Sequence, residues 1–233
     1  MKRFYSEVSV AQAGEDWIVH LDGRPLKTQG GRPQAVASRT MADLLAAEWE
    51  GQGEEIDPAA FRFRDMVDYA IDVVRKDPAN MHDKLLGYAE TDTLCYRADP
   101  DDALYRRQTE VWEPLLADVE AREGVMLQRV SGVLHRAQPA DSLARLRRRL
   151  ASFDSFTLAA LEQLVSLSAS LCIGLAALEP DADIAALWDA ANLEEDWQAE
   201  RWGRDEEAAD RRARRKADFH AAAHFARAAS ISA

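Results

Sequence analysis

Three carboxylates are spaced so that a helix would place them on one side: Asp65, Asp68 and Asp72 stand at positions i, i+3 and i+7. Carboxylate oxygens are the ligands that hard divalent cations prefer, so this set can in principle hold a metal ion. No Glu-x-x-His pair accompanies them, although carboxylate metal sites in helical bundles often use one. The favoured interpretation is a solvated acidic face opposite the apolar face of the same helix.

Histidines and cysteines give no stronger indication of chemistry. His220 and His224 have the i, i+4 spacing by which two imidazoles can share a metal, but no third ligand lies nearby in the sequence. His20 and His135 are isolated in strand-like runs. Cys95 has no predicted helix N-terminus or neighbouring histidine that would lower its pKa, so a buried, unreactive thiol is favoured. We therefore predict no catalytic residue, no metal and no cofactor.

Two arginine-rich runs, at 145–149 and 211–216, raise the question of nucleic-acid binding. Both alternate with apolar residues on predicted helices, and the later run follows acidic residues that offer i, i+4 partners. The chain has 29 Lys and Arg against 41 Asp and Glu, a net charge of −12, which repels a phosphate backbone. Salt-bridged helix faces are favoured; a carboxylate-rich metal-dependent enzyme and an RNA or membrane-surface adaptor are kept as alternatives.

The elements that position these residues begin with strands. Val8 and Val10 precede a turn signal at residues 13–16, and Val19 and Leu21 follow it in the same alternating pattern. Period-two alternation on both sides of a turn predicts a β-hairpin. Further turn signals within the first 38 residues predict several short antiparallel strands.

Helical periodicity dominates from Ser38, which we predict to be a helix N-cap. Two β-like runs, at 93–97 and 125–133, interrupt the helices and can pair with each other or join the first sheet. The predicted later helices are Met81–Glu90, Asp101–Glu123, Ala140–Ala151, Ser155–Leu178, Asp183–Ala191 and Leu193–Ala229.

This pattern predicts an α+β fold with a small β-rich amino-terminal domain and a larger, mostly α-helical carboxy-terminal domain. We place the division at 1–57 and 58–233, because glycine, proline and acidic residues cluster just before it. The most apolar stretch, 156–178, carries Glu162, Gln163 and three serines, so a buried helix is favoured over a membrane span. The amino terminus lacks the apolar run of a secretory signal, which favours the bacterial cytoplasm, or the mitochondrial matrix for a processed eukaryotic form.

Short motifs follow one another along nearly the whole chain. They are Arg3-Phe4-Tyr5, Leu21 to Thr28, Ala47-Glu48-Trp49 with Gln52, Thr91 to Arg97, Gln108 with Trp112 to Leu115, and Glu195 to Gln198 with Trp202-Gly203. In this order the motifs resemble one family, the ATP12-type assembly chaperones, which handle the alpha subunit of the F-type ATP synthase catalytic head. The chain departs from the family's pattern after Ile56-Asp57-Pro58, where a Met-Pro is missing.

The resemblance implies a binding protein without a cofactor, monomeric when free. Its client would be the unassembled alpha subunit, whose exposed beta-facing surface it would cover until the beta subunit displaces it. An uncovered apolar surface of that kind is prone to wrong pairing.

The resemblance also implies roles for particular residues. We expect Trp49 to be structural, and we leave open whether Asp22, Arg24 and Lys27 shape a turn or touch the client. Asp92 and Arg97 can pair with each other or cap neighbouring elements. The client-contacting residues are predicted to be Glu194, Glu195, Gln198, Trp202 and Gly203; the motif or structural residues are Asp22, Arg24, Lys27, Glu48, Trp49, Asp92, Tyr96, Arg97, Gln108, Trp112 and Pro114.

Overall fold

The computed structural model describes residues 1–132, 136–203 and 206–230. The chain forms two compact units. The first comprises Met1–Pro78, Asp154–Ala160 and the described part of His224–Ala233, and the second comprises Ala79–Phe153 and Leu161–Ala223. Strands concentrate near the amino terminus and helices make up most of the rest, so the predicted α+β class is confirmed.

The sheet of the first unit is built on the predicted hairpin. Strands β1 (Val8–Ala13) and β2 (Asp16–Leu21) pair antiparallel around a turn in which Gly14 has a φ of +69°. Two short strands, β3 (Arg24–Pro25) and β4 (Ala35–Val36), also pair antiparallel with β2. Several short antiparallel strands were predicted here, and that prediction is confirmed.

Helix α1 (Arg39–Glu50) packs its apolar face on this sheet. The Ser38 side chain accepts a hydrogen bond from the Met41 N–H, as predicted for an N-cap. At the other end of α1, the Trp49 ring lies 4.5 Å from the Phe61 ring and 5.5 Å from the Tyr5 ring. The Tyr5 hydroxyl donates to the Trp49 carbonyl over 2.5 Å, so the amino-terminal segment is joined to the end of α1.

Glu48 connects α1 to helix α2 (Arg62–Asp72). Its two carboxylate oxygens accept hydrogen bonds from the N–H groups of Phe63 and Arg64, at 2.7 and 2.9 Å. These N–H groups belong to the first turn of α2 and have no partner within the helix. Burial raises the pKa of Glu48, and the backbone hydrogen bonds oppose that effect.

The second unit is helical. The longest described helix that lies within one unit is α4 (Ala103–Glu123), which follows the capping residue Asp102 and is followed by Gly124 in a left-handed conformation. The helices that follow α2 along the chain are α3 (Pro78–Glu90), α4 (Ala103–Glu123), α5 (Ala140–Ala151), α6 (Ser155–Ser168), α7 (Leu171–Ala177), α8 (Ile184–Ala191), α9 (Leu193–Trp202) and α10 (Glu206–Ser230).

Two predicted long helices are divided in the structure, so those two predictions are wrong. The predicted helix 155–178 is interrupted between α6 and α7, where Ala169 has a φ of +51°. The predicted helix 193–229 is interrupted at Gly203, whose φ is +87°. A positive φ is incompatible with a continuing right-handed helix. Glycine is the usual residue at such a position, but position 169 is an alanine, so the sequence does not indicate this break.

The two later β-like runs pair with each other. Strand β5 (Tyr96–Arg97) lies parallel to β6 (Val130–Ser131), in a sheet separate from the hairpin sheet. Part of the predicted run 125–133 extends beyond the described residues. Within the ranges that the structure describes, no helix is both long enough and apolar enough to cross a membrane.

Candidate functional site

Helix α9 carries the predicted client-contacting residues. It begins after Asn192, whose side-chain amide donates to the Trp188 carbonyl over 2.8 Å, and its first residue, Leu193, is buried. The next three residues are acidic, which is favourable at the positive end of a helix dipole. The helix is therefore anchored at its amino-terminal end and becomes more exposed toward Trp202.

One side of α9 is bonded to α4. The Gln108 amide nitrogen donates to a Glu194 carboxylate oxygen over 2.6 Å, and the Gln108 oxygen accepts from the Ala98 N–H over 2.8 Å. Gln108 is fully buried, so the carboxylate of Glu194 is held by a side chain that cannot turn to solvent. The residue before Gln108 on α4, Arg107, forms a bidentate ion pair with Glu200 at 3.1 and 3.2 Å.

The other side of α9 faces α10. Arg212 donates to Asp196 over 2.6 Å and lies 3.6 Å from Glu195. Arg215 lies 3.9 Å from Glu195 and donates to the Leu167 carbonyl over 2.9 Å. Adjacent carboxylates of α9 thus have different partners: Glu194 bonds to α4, and Glu195 faces α10.

A groove of about 680 Å³ lies between α9 and α10, and we call it the α9–α10 groove. Trp202 is 79% exposed, an unusual degree of exposure for the largest apolar side chain. The lining residues are Glu195, Gln198, Ala199, Trp202, Gly203, Ala208, Ala209, Arg211, Arg212, Ala213, Arg215 and Lys216.

The structure therefore brings together four of the five predicted client-contacting residues. Glu195, Gln198 and Trp202 fall at i, i+3 and i+7 and line the groove with Gly203. Glu194 does not line it, because its carboxylate is directed to Gln108. The alanines and cations of α10 were not predicted as site residues; the only sequence signal for the groove is Gly203, a helix-breaking residue between two amphipathic stretches.

Among the motif residues of the first unit, Asp22 shapes a turn. It has a φ of +47°, and one of its carboxylate oxygens accepts from the N–H groups of Ser6 and Glu7 at 3.0 and 2.9 Å. These two backbone hydrogen bonds lower the pKa of Asp22. Arg24 in β3 and Lys27 beyond the end of that strand are both exposed. Glu48 and Trp49 join α1 to its neighbours, as described above.

Asp92 caps two elements. Its carboxylate accepts from the Leu94 N–H at 3.0 Å, from the Ser170 hydroxyl at 2.7 Å and from the Cys172 N–H at 2.9 Å. Of the two possibilities left open for Asp92, the structure shows capping rather than a pair with Arg97. Burial raises the pKa of Asp92, and these hydrogen bonds oppose the shift.

Arg97 is buried between β5 and α4. It pairs with Glu113 at 3.1 Å, donates to the Leu94 carbonyl at 3.0 Å, and lies over the Trp112 ring with its guanidinium carbon 5.6 Å from the centroid. The preceding motif residue, Tyr96, is half-buried in β5.

The α4 motif residues meet the region just before α9. The Trp112 ring is fully buried, and its indole N–H donates to the Ala190 carbonyl over 2.8 Å. Pro114 is exposed within α4, where its lack of an N–H leaves the Glu110 carbonyl without the usual helical donor. Trp112 and Gln108 therefore hold the segment around the start of α9 against α4.

The predicted acidic face is wrong for Asp68, which is buried under residues 28–34. Asp68 accepts from the Gln29 N–H at 3.0 Å and from the Gln34 side chain at 2.6 Å, and burial raises its pKa. Asp72 accepts from the Gly30 N–H at 2.8 Å. A Cβ on Gly30 would lie 2.6 Å from the Asp72 oxygens, so any larger residue there would displace the Asp72 carboxylate.

Asp68→Ala is expected to lower the free energy of unfolding by about 2 kcal/mol, because the Gln29 N–H and the buried side-chain amide of Gln34 lose their acceptor. Asp65→Ala is the matched control: Asp65 lies on the same helix but is exposed, and it pairs with the neighbouring Arg64 at 2.6 Å. Urea denaturation followed by circular dichroism measures both. Equal effects of the two substitutions would contradict the role of Asp68 in holding the loop.

The remaining candidates for chemistry are scattered. Across the described ranges, no group of three or more His, Cys, Asp or Glu side chains is arranged to hold a metal ion. His220 and His224 are exposed, and His135 lies outside the described residues. Cys95 is buried, and burial raises its pKa to about 12, which agrees with an unreactive thiol.

Arginines of both arginine-rich runs form ion pairs, which agrees with the salt-bridged helix faces favoured from the sequence. Arg147 pairs with Asp83 at 2.6 Å and Arg149 with Glu123 at 3.4 Å. Arg211 pairs with Glu207 at 2.6 Å in the predicted i, i+4 arrangement. Arg212, by contrast, takes its partners from α9 rather than from its own helix.

The sequence of this chain matches a known protein family. A sequence model described as ATP12 chaperone protein matches residues 2–120, a range that includes every motif residue from Asp22 to Pro114. The chain belongs to the ATP12 chaperone family. The family acts in ATP synthase assembly, which agrees with the resemblance seen in the motifs.

Relatives of this ATP12 family member extend the match beyond residue 120. The mitochondrial protein atp12 of Schizosaccharomyces pombe is 26% identical over 219 residues, which are 89% of this chain and 75% of the relative. The crystal structure of Atp12 from Paracoccus denitrificans is 36% identical, with a TM-score of 0.92 over 98% of both chains. A point mutant of the same Paracoccus protein gives 35% identity and a TM-score of 0.91, covering 100% of this chain and 98% of that one. The helices α9 and α10 are therefore part of the shared fold.

Proposed function

We propose that this protein binds the unassembled alpha subunit of the F-type ATP synthase, covers its beta-facing surface and releases it to the beta subunit. Membership of the ATP12 family supports a role in ATP synthase assembly. The observation that carries the choice of a binding surface is the exposed Trp202 beside the α9–α10 groove. Exposed tryptophans beside a groove are typical anchors of protein interfaces.

In this proposal the protein acts by binding alone. It makes and breaks no covalent bond, needs no cofactor and is monomeric when free. It works where alpha is assembled, which is the bacterial cytoplasm, or the mitochondrial matrix in a eukaryote. The complex must be weak enough for beta to displace the chaperone, so affinity has to rest on a few anchoring residues rather than on a large permanent interface.

Co-expression with the alpha subunit of the same organism, followed by size-exclusion chromatography with and without beta, tests the proposal. We expect a soluble complex that contains both proteins and that dissociates when beta is added. Aggregation of alpha while this protein elutes alone and folded would overturn the choice of client. A complex that beta leaves intact would overturn the competitive handover.

Glu194→Lys is expected to impair the rescue of alpha while the protein stays folded. The substitution removes one hydrogen bond to Gln108, worth about 1 to 2 kcal/mol, and reverses the charge at the start of α9. Glu194→Gln is the matched control, because it keeps an acceptor for Gln108 and removes only the charge. Co-purified alpha measures binding, and thermal unfolding measures stability; normal binding by the lysine variant would refute a contact at Glu194.

A further inference from the structure

The α9–α10 groove is lined in part by small apolar side chains and by one exposed aromatic side chain. Alanines from both helices line it, and Trp202 stands exposed at the end of α9. Alanine side chains leave room between two helices, and an unpaired tryptophan beside that room offers a large apolar surface that a partner can bury. This combination fits an inserted helix or extended segment with apolar residues on one side.

The charge of the lining is opposite to that of the protein. Among the residues that the structure describes there, four cations and one carboxylate, Glu195, line the groove, whereas the chain as a whole carries −12. The cations are Arg211, Arg212, Arg215 and Lys216. A positive groove in an acidic protein attracts a negative segment locally, while the rest of the surface repels it. Such a charge distribution selects both the partner and its placement.

The cations differ in how firmly they are held. Arg212 is committed to Asp196 at 2.6 Å and forms part of the wall. Within the described part of the chain, the ion pairs of Arg215 and Lys216 are long, at 3.9 Å to Glu195 and 3.7 Å to Asp189, and their side chains are 44% and 43% exposed. Exposed pairs of that length contribute little, so both side chains have N–H groups to offer an arriving carboxylate.

We propose that the α9–α10 groove takes an acidic amphipathic segment of the client. Its apolar side packs on Trp202 and the alanines, and its carboxylates meet Arg215 and Lys216. This inference rests on the proposed function, because it takes the alpha subunit as the client. It adds the chemistry of the segment that the chaperone recognises, and it assigns the cations of α10 a role in binding.

Photo-crosslinking locates the segment directly. The full-length protein carries p-benzoylphenylalanine at position 209 in the groove or, as a control, at position 144 on α5, and is incubated with purified alpha subunit. Mass spectrometry should find position 209 joined to one segment of alpha with a net negative charge, and position 144 joined to none. A neutral or basic segment at position 209, or a second copy of this chain, would overturn the proposal.

Charge reversal supplies a matched test of affinity. The double substitution Arg215→Glu with Lys216→Glu should raise the Kd for alpha by about tenfold or more, since two attractions become repulsions. The control is Arg145→Glu with Arg148→Glu on α5, two exposed arginines outside the groove, and it should change the Kd by less than about twofold. Trp202→Ala is the third variant, because an exposed side chain can be removed without disturbing the fold.

The outcomes separate the two proposals. If the wild-type protein does not bind alpha, the proposed function fails. If the wild type binds alpha and both the double variant and Trp202→Ala bind it equally well, the proposed function stands and the groove is not the site. Circular dichroism of each variant shows whether a loss of binding reflects a loss of fold.

Discussion

Trp49→Arg is expected to lower the free energy of unfolding by about 3 to 5 kcal/mol. The Trp49 ring is 8% exposed and packs against Phe61 and Tyr5. Arginine would lose these ring contacts. Its charged guanidinium group would lie among aromatic rings, which cannot pair with it as a carboxylate would. Urea denaturation followed by circular dichroism measures the loss.

Trp202→Arg is the matched control for this prediction. It makes the same chemical change at a tryptophan that is 79% exposed, so we expect the free energy of unfolding to change by less than about 0.5 kcal/mol. A Trp49→Arg protein with an unchanged melting temperature would refute the structural role of Trp49. Similar losses at both positions would show that burial does not decide the effect.

Asp92→Ala is expected to cost about 3 kcal/mol. The substitution leaves the Leu94 N–H, the Cys172 N–H and the Ser170 hydroxyl without their acceptor inside the second unit, and each unsatisfied buried donor carries a desolvation penalty. Asp101→Ala, at an exposed aspartate, should change stability by less than about 0.5 kcal/mol. Chemical denaturation of the two variants at neutral pH makes the comparison, and equal effects would contradict the capping role.

The Asp92 substitution should also have a characteristic pH dependence. Because burial raises the pKa of Asp92 above its ordinary value of 3.8, the folded state binds this proton more tightly than the unfolded state does. The contribution of Asp92 is therefore fully present below the unfolded pKa and declines as pH rises through the folded pKa. The stability difference between wild type and Asp92→Ala should be larger at pH 4.5 than at pH 8; a difference that grows with pH would reverse the assigned shift.

The predictions that held depend on interactions between residues close in sequence. The hairpin around Gly14 follows from alternation and a turn residue, and the start of α1 follows from the hydroxyl of Ser38 three residues before its donor. The motifs in their order indicated the family, which the comparison confirms. Local geometry and residue order were enough for these features.

Two helices were predicted too long because their periodicity continues across a break. The sequence on either side of Ala169 and of Gly203 has the composition of one continuous helix. Ala169 and Gly203 themselves have positive φ angles, which end the helix before them. At Ala169, the carbonyl accepts hydrogen bonds from the N–H and the hydroxyl of Thr93, 76 residues away. This contact joins distant parts of the chain, so periodicity alone could not show the break there.

The sequence by itself determined the class of fold, the hairpin, most helix positions and the family. These features rest on backbone conformation, capping and residue order, which act over a few positions along the chain. The tertiary structure alone decided that Asp68 is buried, that Glu194 is bonded to Gln108 across 86 positions, and that α9 and α10 enclose a groove lined with cations. Those features require distant segments to meet, and the sequence pattern of each segment does not specify which surface it will meet.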